Sequence, residues 1–383
     1  MMANEIIKKK GWRKSGILAI ILICLALLIS GCSEQEVKNE AKNIAKDVAQ
    51  GVWTEVLKEQ DNIKSTTKKT SKTQQTKKVD GQMTVHFIDV GQADATLFVQ
   101  NGKTMLFDAA TKSRGDEIVA YIKKLGINYI DVMVLTHPHD DHMGGSAYIL
   151  NNIEVGKIYG PDIFDIKSLD TIGWYNDMLD AVDKIDRKRN KGVPKNKQTS
   201  IWHLPRNSKG EFEKFNIGNA EVEFYAPLEK EYSDINDYSI CAKVSYGTVD
   251  IMLTGDATKE VEQALISQKY DLDVEVFQAG HHGSDTSNSK AFLQAMSPEA
   301  VVISCGMKNK YNHPIKSVMK LYKQMGIKVY RTDEVGDIVM TTDGTKYSFD
   351  KKQGTYKSGS EYKQKGKWTW WKKLHSCNLR TIW

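Results

Sequence analysis

Four possible metal ligands stand within six residues, directly after a largely apolar segment. That segment, residues 130–136, is typical of a buried strand and leads into Thr136-His-Pro-His-Asp-Asp-His-Met-Gly-Gly145. Strand ends are rigid, so a loop there can hold side chains in the geometry that a metal requires. Imidazole and carboxylate donors without thiolate suit zinc, iron or manganese and argue against a purely structural zinc site. His137, His139, Asp141 and His142 are therefore predicted metal ligands.

Further candidate ligands follow three successive predicted strands later in the chain. Asp256 follows the predicted strand at 250–253. His281 and His282 follow the predicted strand at 274–279, and His313 follows the predicted strand at 300–304. Turn residues rarely repeat in this way by chance. The sequence therefore predicts that these side chains meet the histidine loop at one edge of a sheet.

The order of predicted elements indicates the fold class. Strands at 83–90, 95–100 and 103–108 come first, with the hairpin sequence Asn101-Gly102 between the last two. Strands then alternate with helices, the helices being predicted at 118–125, 259–267, 290–296 and 315–325. This order favours an α/β (α+β) fold with two mixed sheets layered between helices.

In combination and in order, these motifs resemble a known family. The HxHxDH pattern at 137–142 is similar to that of the metallo-β-lactamase superfamily. Over residues 83–350, the chain resembles the extracellular hydrolase domain of ComEC-type competence proteins at Phe87-Ile-Asp-Val-Gly-Gln-Ala-Asp94, Phe107-Asp108, Asn236-Asp-Tyr-Ser-Ile240, Leu253-Thr-Gly-Asp256, His281-His-Gly-Ser284 and His313-Pro314. The resemblance implies the metallo-β-lactamase fold, a four-layer αβ/βα sandwich.

The resemblance also implies roles for the motif residues. Asp108 would support the histidine loop from a buried position. Asp256 would bridge two divalent metal ions, zinc or alternatively manganese. His281 and His313 would complete the two metal shells, whereas His282 would either bind metal or face the substrate.

The donor set and the resemblance together predict a metal-dependent hydrolase. Asp141 and His282 are the predicted catalytic side chains, and the expected reaction is phosphodiester hydrolysis by a hydroxide activated between two metals. No histidine stands at residues 236–240, where true β-lactamases place a ligand, so β-lactam hydrolysis is not expected. The expected substrate is an anionic phosphodiester such as DNA or a wall polymer, and no stable protein partner is inferred. Two alternatives stay open: a teichoic-acid or phosphorylcholine esterase, and a non-catalytic competence or surface accessory protein with a structural metal site.

The N-terminus has the features of a secreted, lipid-anchored protein. A basic block precedes an apolar run at residues 17–29, which is shorter than the roughly 20 residues of a spanning helix. Ile29-Ser30-Gly31-Cys32 resembles the bacterial lipobox, so Cys32 is the predicted lipidation site; an ordinary signal peptide is the alternative. The expected location is the extracellular side of the cell membrane, with the protein held there by its lipid.

Composition divides the chain into four parts. They are a signal peptide at 1–31, a partly disordered tether at 32–80, the hydrolase domain at 81–350 with a helical insertion at 161–200, and a basic, Trp-rich tail at 351–383. Residues 79–350 hold 30 Lys and Arg against 39 Asp and Glu, an acidic balance that does not suit a generic nucleic-acid binder. The insertion is interpreted either as a solvated helix or as a lid that steers phosphates.

Overall fold

A computed structural model describes residues 79–364 of the chain. The predicted signal peptide, the predicted lipidation site Cys32, the tether up to residue 78 and the Trp-rich end of the tail lie outside these residues. Within the described range, no helix combines the length and the hydropathy needed to cross a membrane.

Two mixed β-sheets form the centre of the described fold. Its strands, numbered in chain order, are Met83–Phe87 (β1), Thr96–Gln100 (β2), Lys103–Phe107 (β3), Tyr129–Val134 (β4), Glu154–Tyr159 (β5), Trp202–His203 (β6), Lys214–Ile217 (β7), Ala220–Phe224 (β8), Ala242–Tyr246 (β9), Val249–Leu253 (β10), Val276–Gln278 (β11), Ala300–Ile303 (β12), Lys328–Arg331 (β13), Ile338–Thr342 (β14) and Tyr347–Phe349 (β15). The strand orders are β15-β14-β1-β2-β3-β4-β5-β6 and β13-β12-β11-β10-β9-β8-β7. β3 to β6 are parallel, as are β10 to β13, so the carboxyl ends of each set lie at one edge.

Helices cover the outer faces of both sheets. In chain order they are Gly115–Lys124 (α1), Asp140–Met143 (α2), Ser146–Asn152 (α3), Gly173–Arg189 (α4), Lys259–Ser267 (α5), Lys290–Met296 (α6), Lys316–Met325 (α7), Thr332–Val335 (α8) and Gly359–Gln364 (α9). α1 buries Ile118 and Ile122, one turn apart, in the outer core of the first sheet. A second core fills the space between the sheets, and a third lies under α5, α6 and α7. The predicted four-layer sandwich is confirmed.

Element boundaries were predicted best where the sequence carries a local signal. The structure has α5 and α6 at the predicted residues, because Thr258 and Ser289 cap them by accepting hydrogen bonds from Glu260 N and Phe292 N. The predicted strands at 83–90 and 274–279 are longer than the observed β1 and β11. The sequence did not predict β5, β6, β7, β14 or β15.

The insertion and the end of the described chain both pack on the sandwich. α4 lies inside the predicted insertion at 161–200 and contacts α3. At its end, Arg189 donates hydrogen bonds to the carbonyl oxygens of Val155 and Gly156. Beyond the predicted domain end at residue 350, the backbone N of Gly359 bonds to Pro314 O at 3.0 Å. Ordered packing thus continues past that boundary.

Candidate metal centre

The loop at residues 137–142 follows β4, and a buried carboxylate contacts both of its ends. Asp108 follows the neighbouring strand β3 and is fully buried. Its Oδ1 accepts a hydrogen bond from Thr136 N at 2.8 Å, and its Oδ2 accepts one from Thr136 Oγ1 at 3.0 Å. The same Oδ2 lies 2.7 Å from His142 Nδ1. Burial raises the pKa of Asp108 to about 6, although His142 opposes the rise. Asp108 therefore orients both the start of the loop and the ring of His142.

Asp256 lies between two sets of predicted ligands, with one carboxylate oxygen toward each. His137 Nε2 is 3.8 Å and His281 Nε2 is 3.4 Å from Oδ2 of Asp256. His139 belongs to the same set because its Nδ1 is 3.0 Å from His137 Nε2. We call His137, His139, His281 and Oδ2 of Asp256 the first ligand group.

The other oxygen of Asp256 faces the second set. His142 Nε2 is 3.1 Å and His282 Nε2 is 4.0 Å from Oδ1 of Asp256. Asp141 Oδ2 is 3.4 Å from His282 Nε2. We call Asp141, His142, His282 and Oδ1 of Asp256 the second ligand group. Each group offers four nitrogen or oxygen donors, the number that zinc usually takes in proteins.

Hydrogen bonds fix the proton of four of these rings on Nδ1. The Nδ1 partners are Asp108 Oδ2 for His142, Thr136 Oγ1 for His137 at 3.1 Å, Thr286 Oγ1 for His281 at 2.9 Å, and Ser304 O for His282 at 3.0 Å. Each partner is an acceptor, since the two threonine hydroxyls donate their own hydrogens to other oxygens. A neutral ring with its proton on Nδ1 has a free electron pair on Nε2. In its neutral form, each of these four rings therefore presents Nε2 to a metal.

Three buried atoms of the second group lack a hydrogen-bond partner. They are Nε2 of His142, Nε2 of His282 and Oδ1 of Asp256. The first and last are only 3.1 Å apart, but their geometry is not that of a hydrogen bond. Leaving such atoms buried and unpaired costs about 1–3 kcal/mol each. A divalent cation among them would bind all three, so the residues fit a metal ion.

The two groups differ in the protonation that their surroundings favour. Burial opposes charge on His142, but Asp256 and Asp108 outweigh it and raise its pKa well above the ordinary value. Burial is likewise outweighed at His282, where Asp94 and Asp256 raise the pKa. In the first group, burial keeps the pKa of His137 and of His281 below the ordinary value. Before an ion binds, the surroundings thus favour a second proton on His142 and His282 but not on His137 and His281, and an ion entering the second group would displace that proton.

A chain of buried polar side chains supports His282 from the sheets. Asp94 Oδ1 lies 3.2 Å from His282 Nδ1, and Asp94 Oδ2 accepts a hydrogen bond from Gln278 Nε2 at 2.9 Å. Thr96 Oγ1 completes the chain by donating to Gln278 Oε1 at 2.8 Å. Sequence reasoning missed these supports. Their signal is a polar residue at the buried end of an apolar strand, as Gln278 is in β11.

The turn at residues 280–284 has an unusual backbone. His281, His282 and Gly283 are all left-handed, with φ of 51°, 54° and 80°. Asn288 holds the turn at both ends, because its Nδ2 donates to the carbonyl oxygens of Gly280 and Ser284, each at 2.8 Å. This conformation directs two consecutive histidines to different ligand groups.

A pocket of about 280 Å³ opens onto the two groups. Residues of both groups line it, together with Gln92, Tyr311 and His313, and none of residues 161–200 does. His313 Nδ1 is 3.3 Å from Gln92 Nε2, and the ring of Tyr311 stacks on that of His313 with centroids 5.5 Å apart. His313 therefore lies at the pocket, although its donor atoms, like those of His281, are not in the compact clusters formed by the remaining predicted ligands.

Three curated relatives resemble the chain over most of its length. The chain is 26% identical to ComE operon protein 3 of Bacillus subtilis (strain 168) over 291 residues, which is 71% of this chain and 34% of the relative. It is 29% identical to competence protein ComA of Neisseria gonorrhoeae, over 65% of this chain and 30% of the relative. It is also 29% identical to recombination protein 2 of Haemophilus influenzae, over 62% of this chain and 26% of the relative. The chain thus matches about a third or less of the length of each relative.

Solved structures are similar at lower identity. CmlA, a diiron β-hydroxylase from Streptomyces venezuelae, matches with a TM-score of 0.44 and 14% identity over 66% of this chain and 53% of that one. The metallo-β-lactamase fold protein YhfI from Bacillus subtilis matches with a TM-score of 0.44 and 11% identity over 68% of this chain and 100% of that one. Likenesses at this level concern neither substrate nor mechanism.

A family model described as the metallo-beta-lactamase superfamily matches residues 88–307. The matched segment runs from the end of β1 past β12, so it contains the histidine loop, Asp256 and the turn at 280–284. It covers more than half of the 383 residues. This chain therefore belongs to the metallo-beta-lactamase superfamily.

Proposed function

We propose that this protein is a metal-dependent hydrolase of phosphodiesters. The superfamily consists generally of hydrolases, which usually bind divalent metals. The observation that carries the proposal is the position of Asp256, with one oxygen toward each ligand group beside an open pocket. Two neighbouring cations are a common arrangement in enzymes that cleave phosphodiesters. The names of the relatives, two competence proteins and a recombination protein, support a nucleic-acid substrate.

The proposed ligands are those of the two groups. His137, His139 and His281 would hold one ion, Asp141, His142 and His282 the other, and Asp256 would bridge them. Bound ions would supply Lewis acidity, lowering the pKa of a water molecule and neutralising phosphate oxygens. We propose zinc, with manganese as the alternative, because the donors are nitrogen and oxygen without thiolate.

The side chains of the pocket have roles of their own. Burial favours the neutral form of Asp141, but the neighbouring His282 and the charge of His142 outweigh it and lower the pKa of Asp141. Asp141 is the most exposed carboxylate of the two groups, with 28% of its side chain accessible. It can therefore orient an attacking water by accepting its hydrogen bond. His282, fixed by Asp94 and Ser304, holds Asp141 in place.

The proposed place of action is the extracellular face of the membrane. The basic block, the apolar run and the Cys32 motif of the sequence support a lipid anchor there. DNA and anionic wall polymers are both accessible at that surface. A teichoic-acid or phosphorylcholine esterase would use the same site, so the substrate has to be decided by experiment.

The test is turnover of bis(p-nitrophenyl) phosphate by the full chain, combined with metal analysis. We expect two ions per wild-type chain and activity that disappears in His139→Ala and Asp256→Ala. His203→Ala is a suitable control, because His203 is half-buried in β6 and does not line the pocket. Unchanged turnover in the first two variants would contradict the proposal. Two bound ions without turnover of any ester would favour the accessory protein with a structural metal site.

A substrate panel then separates the alternatives. Single-stranded DNA, phosphorylcholine esters and lactones should be compared at equal metal loading. Cleavage of DNA alone would support the nuclease, whereas cleavage of phosphorylcholine esters alone would support the wall-polymer esterase.

A further inference from the structure

We propose that His313 is a hydrogen-bond donor to the substrate and not a metal ligand, and that Gln92 is the positioning residue that gives it this role. The observation behind it is a difference in ring protonation. Four histidines of the ligand groups have their Nδ1 on an acceptor, whereas the Nδ1 of His313 faces the amide nitrogen of Gln92.

The orientation of the Gln92 amide follows from its other contact. The backbone N of Gly306 lies 3.1 Å from Gln92 Oε1 and can only donate a hydrogen bond. The oxygen of the amide must therefore face Gly306, and the NH₂ group must face His313 Nδ1 at 3.3 Å. Exchanging the two ends of the amide would place two donors against each other at Gly306. Gln92 is thus locked in the orientation that donates to His313.

A ring that accepts at Nδ1 carries its proton on Nε2. A neutral His313 in this state offers an N–H at Nε2, and Nε2 has no electron pair for a metal. The ligand histidines are in the opposite state, with the proton on Nδ1 and the pair on Nε2. In their neutral forms, the four ligand rings thus offer an electron pair to a cation, whereas His313 offers an N–H to a hydrogen-bond acceptor.

The rest of the His313 environment keeps the ring in place. Asn309 brackets its backbone, since Asn309 Oδ1 accepts from His313 N at 3.0 Å and Asn309 Nδ2 donates to His313 O at 2.7 Å. The Tyr311 ring stacks on the imidazole, with an interplanar angle of 27°. The contacts described for His313 use its Nδ1, its backbone and its ring face. Because His313 also lines the pocket, its Nε2–H is the donor available to a bound molecule.

The chemistry of the proposed reaction calls for such a donor. Negative charge grows on the phosphoryl oxygens during phosphodiester hydrolysis, and a fixed N–H beside the ions would stabilise it without a proton transfer. Removing one preorganised donor of this kind costs roughly 100- to 1000-fold in kcat in known hydrolases. This step rests on the proposed function, whereas the protonation state of the ring does not.

The first test measures that state directly. Long-range ¹H–¹⁵N correlation spectra of the full chain, labelled at histidine, distinguish a protonated Nε2 from a protonated Nδ1. His313→Gln assigns the resonances. We expect His313 to carry its proton on Nε2 before and after addition of Zn²⁺, whereas His281 and His282 carry theirs on Nδ1 alone once Zn²⁺ is bound. A His313 ring protonated on Nδ1 after Zn²⁺ binding would overturn the proposal.

The second test separates donation from metal binding. His313→Ala should keep two ions, with Zn²⁺ affinity in chelator competition within about threefold of wild type. Its kcat on bis(p-nitrophenyl) phosphate should fall roughly 100-fold. The matched variant His281→Ala should lose an ion. Loss of an ion from His313→Ala, or full turnover by it, would refute the assignment.

A third variant tests the role of Gln92 without touching the histidine. In Gln92→Glu, one carboxylate oxygen can still accept from Gly306 N, while the other faces Nδ1 and draws the ring proton to it. We expect the spectra to show the proton moved to Nδ1 and kcat to fall as in His313→Ala, with Zn²⁺ retained. An unmoved proton would contradict the role of Gln92. If the wild type cleaves no phosphodiester, the proposed function fails, but the spectra and the metal content still decide whether His313 is a ligand.

Discussion

The histidine loop at 137–142 and the turn at 280–284 supply the same kind of side chain in different ways. The first loop continues a strand, and the buried carboxylate of Asp108, which follows the neighbouring strand, orients both its start and the ring of His142. The turn has three consecutive left-handed residues and depends on the side chain of Asn288. A left-handed conformation costs roughly 1–2 kcal/mol for a residue other than glycine. The turn therefore depends on its packing more than the loop does.

The left-handed backbone of the turn determines where its two histidine side chains lie. In an extended segment, two consecutive side chains point to opposite sides and could not both reach one site. The left-handed turn instead brings His281 to Oδ2 and His282 to Oδ1 of the same Asp256. The backbone strain is thus located beside the carboxylate that the two ligand groups share.

The largest effect should come from removing two ligands that belong to different ligand groups. His137→Ala and His281→Ala remove ligands of the first group, so each should reduce the metal content from two ions to one. The double variant should still hold one ion, because both changes affect the same site. His281→Ala combined with His282→Ala should hold none. Metal analysis after gel filtration measures the number of ions bound to each variant. If the double variant of His137 and His281 held fewer ions than either single variant, the two histidines would not belong to one ligand group.

The next effect concerns the strained turn. A Cβ on Gly283, whose φ is +80°, would lie 2.6 Å from Cβ of Pro314. We expect Gly283→Ala to lower the free energy of unfolding by about 2–5 kcal/mol, the sum of left-handed strain and overpacking. Gly326 is the matched control, since its φ is +72° and a Cβ there would meet nothing within 4 Å. Gly326→Ala should cost only about 1–2 kcal/mol. Denaturant unfolding measures both, and equal losses would show that the contact with Pro314 is unimportant.

The third comparison removes the support of each segment. Asp108→Asn takes away the negative charge that orients His142, so Zn²⁺ affinity should fall about 10- to 100-fold. Its loss of stability should be smaller than that of Asn288→Ala, because the remaining amide oxygen can still accept from Thr136 N. Asn288→Ala leaves the carbonyl oxygens of Gly280 and Ser284 without their donor, so it should cost about 1–3 kcal/mol of unfolding free energy for each. Chelator competition and denaturant unfolding distinguish the two results. A stability loss in Asp108→Asn as large as that in Asn288→Ala would remove the distinction between loop and turn.

The same contrast explains what the sequence could predict. The loop at 137–142 is contiguous, so its donors and their position after a strand are visible in the sequence alone. Thr258 and Ser289 similarly mark helix starts through contacts with residues two or three positions away. Local patterns of this kind also indicated the order of the layers.

Features that depend on distant residues were not predictable in this way. β14 pairs with β1 across roughly 250 positions, and nothing local marks it as the neighbour of that strand. The role of Gln92 depends on Gly306 and His313, more than 200 positions away. The division of the ligands into two groups follows from the left-handed turn, and only Gly283 hints at that conformation in the sequence.

The last comparison concerns a difference in pH dependence between the two groups. The pKa values of His142 and His282 are raised above the ordinary 6.5, because Asp256 and other carboxylates outweigh burial. These two rings therefore hold an extra proton just above pH 6.5, and an ion entering the second group must displace it. The affinity of this group should rise with pH above 6.5 by about tenfold per unit for each proton displaced. The pKa values of His137 and His281 are lowered, so the first group should bind with nearly constant affinity over the same range.

Calorimetric Zn²⁺ titrations at pH 6.5, 7.25 and 8 in buffers of different ionisation enthalpy count the protons released at each step. His282→Ala retains the first group, so it should bind one ion with an affinity that changes little with pH. If both ions instead bound with the same pH slope, the charge difference between the groups would not control binding. The loop and the turn would then contribute equivalent ligands despite their different backbones. If only the affinity of the second group rose steeply with pH, the carboxylates around His142 and His282 would be what keeps these rings protonated, and the entering ion would displace their protons.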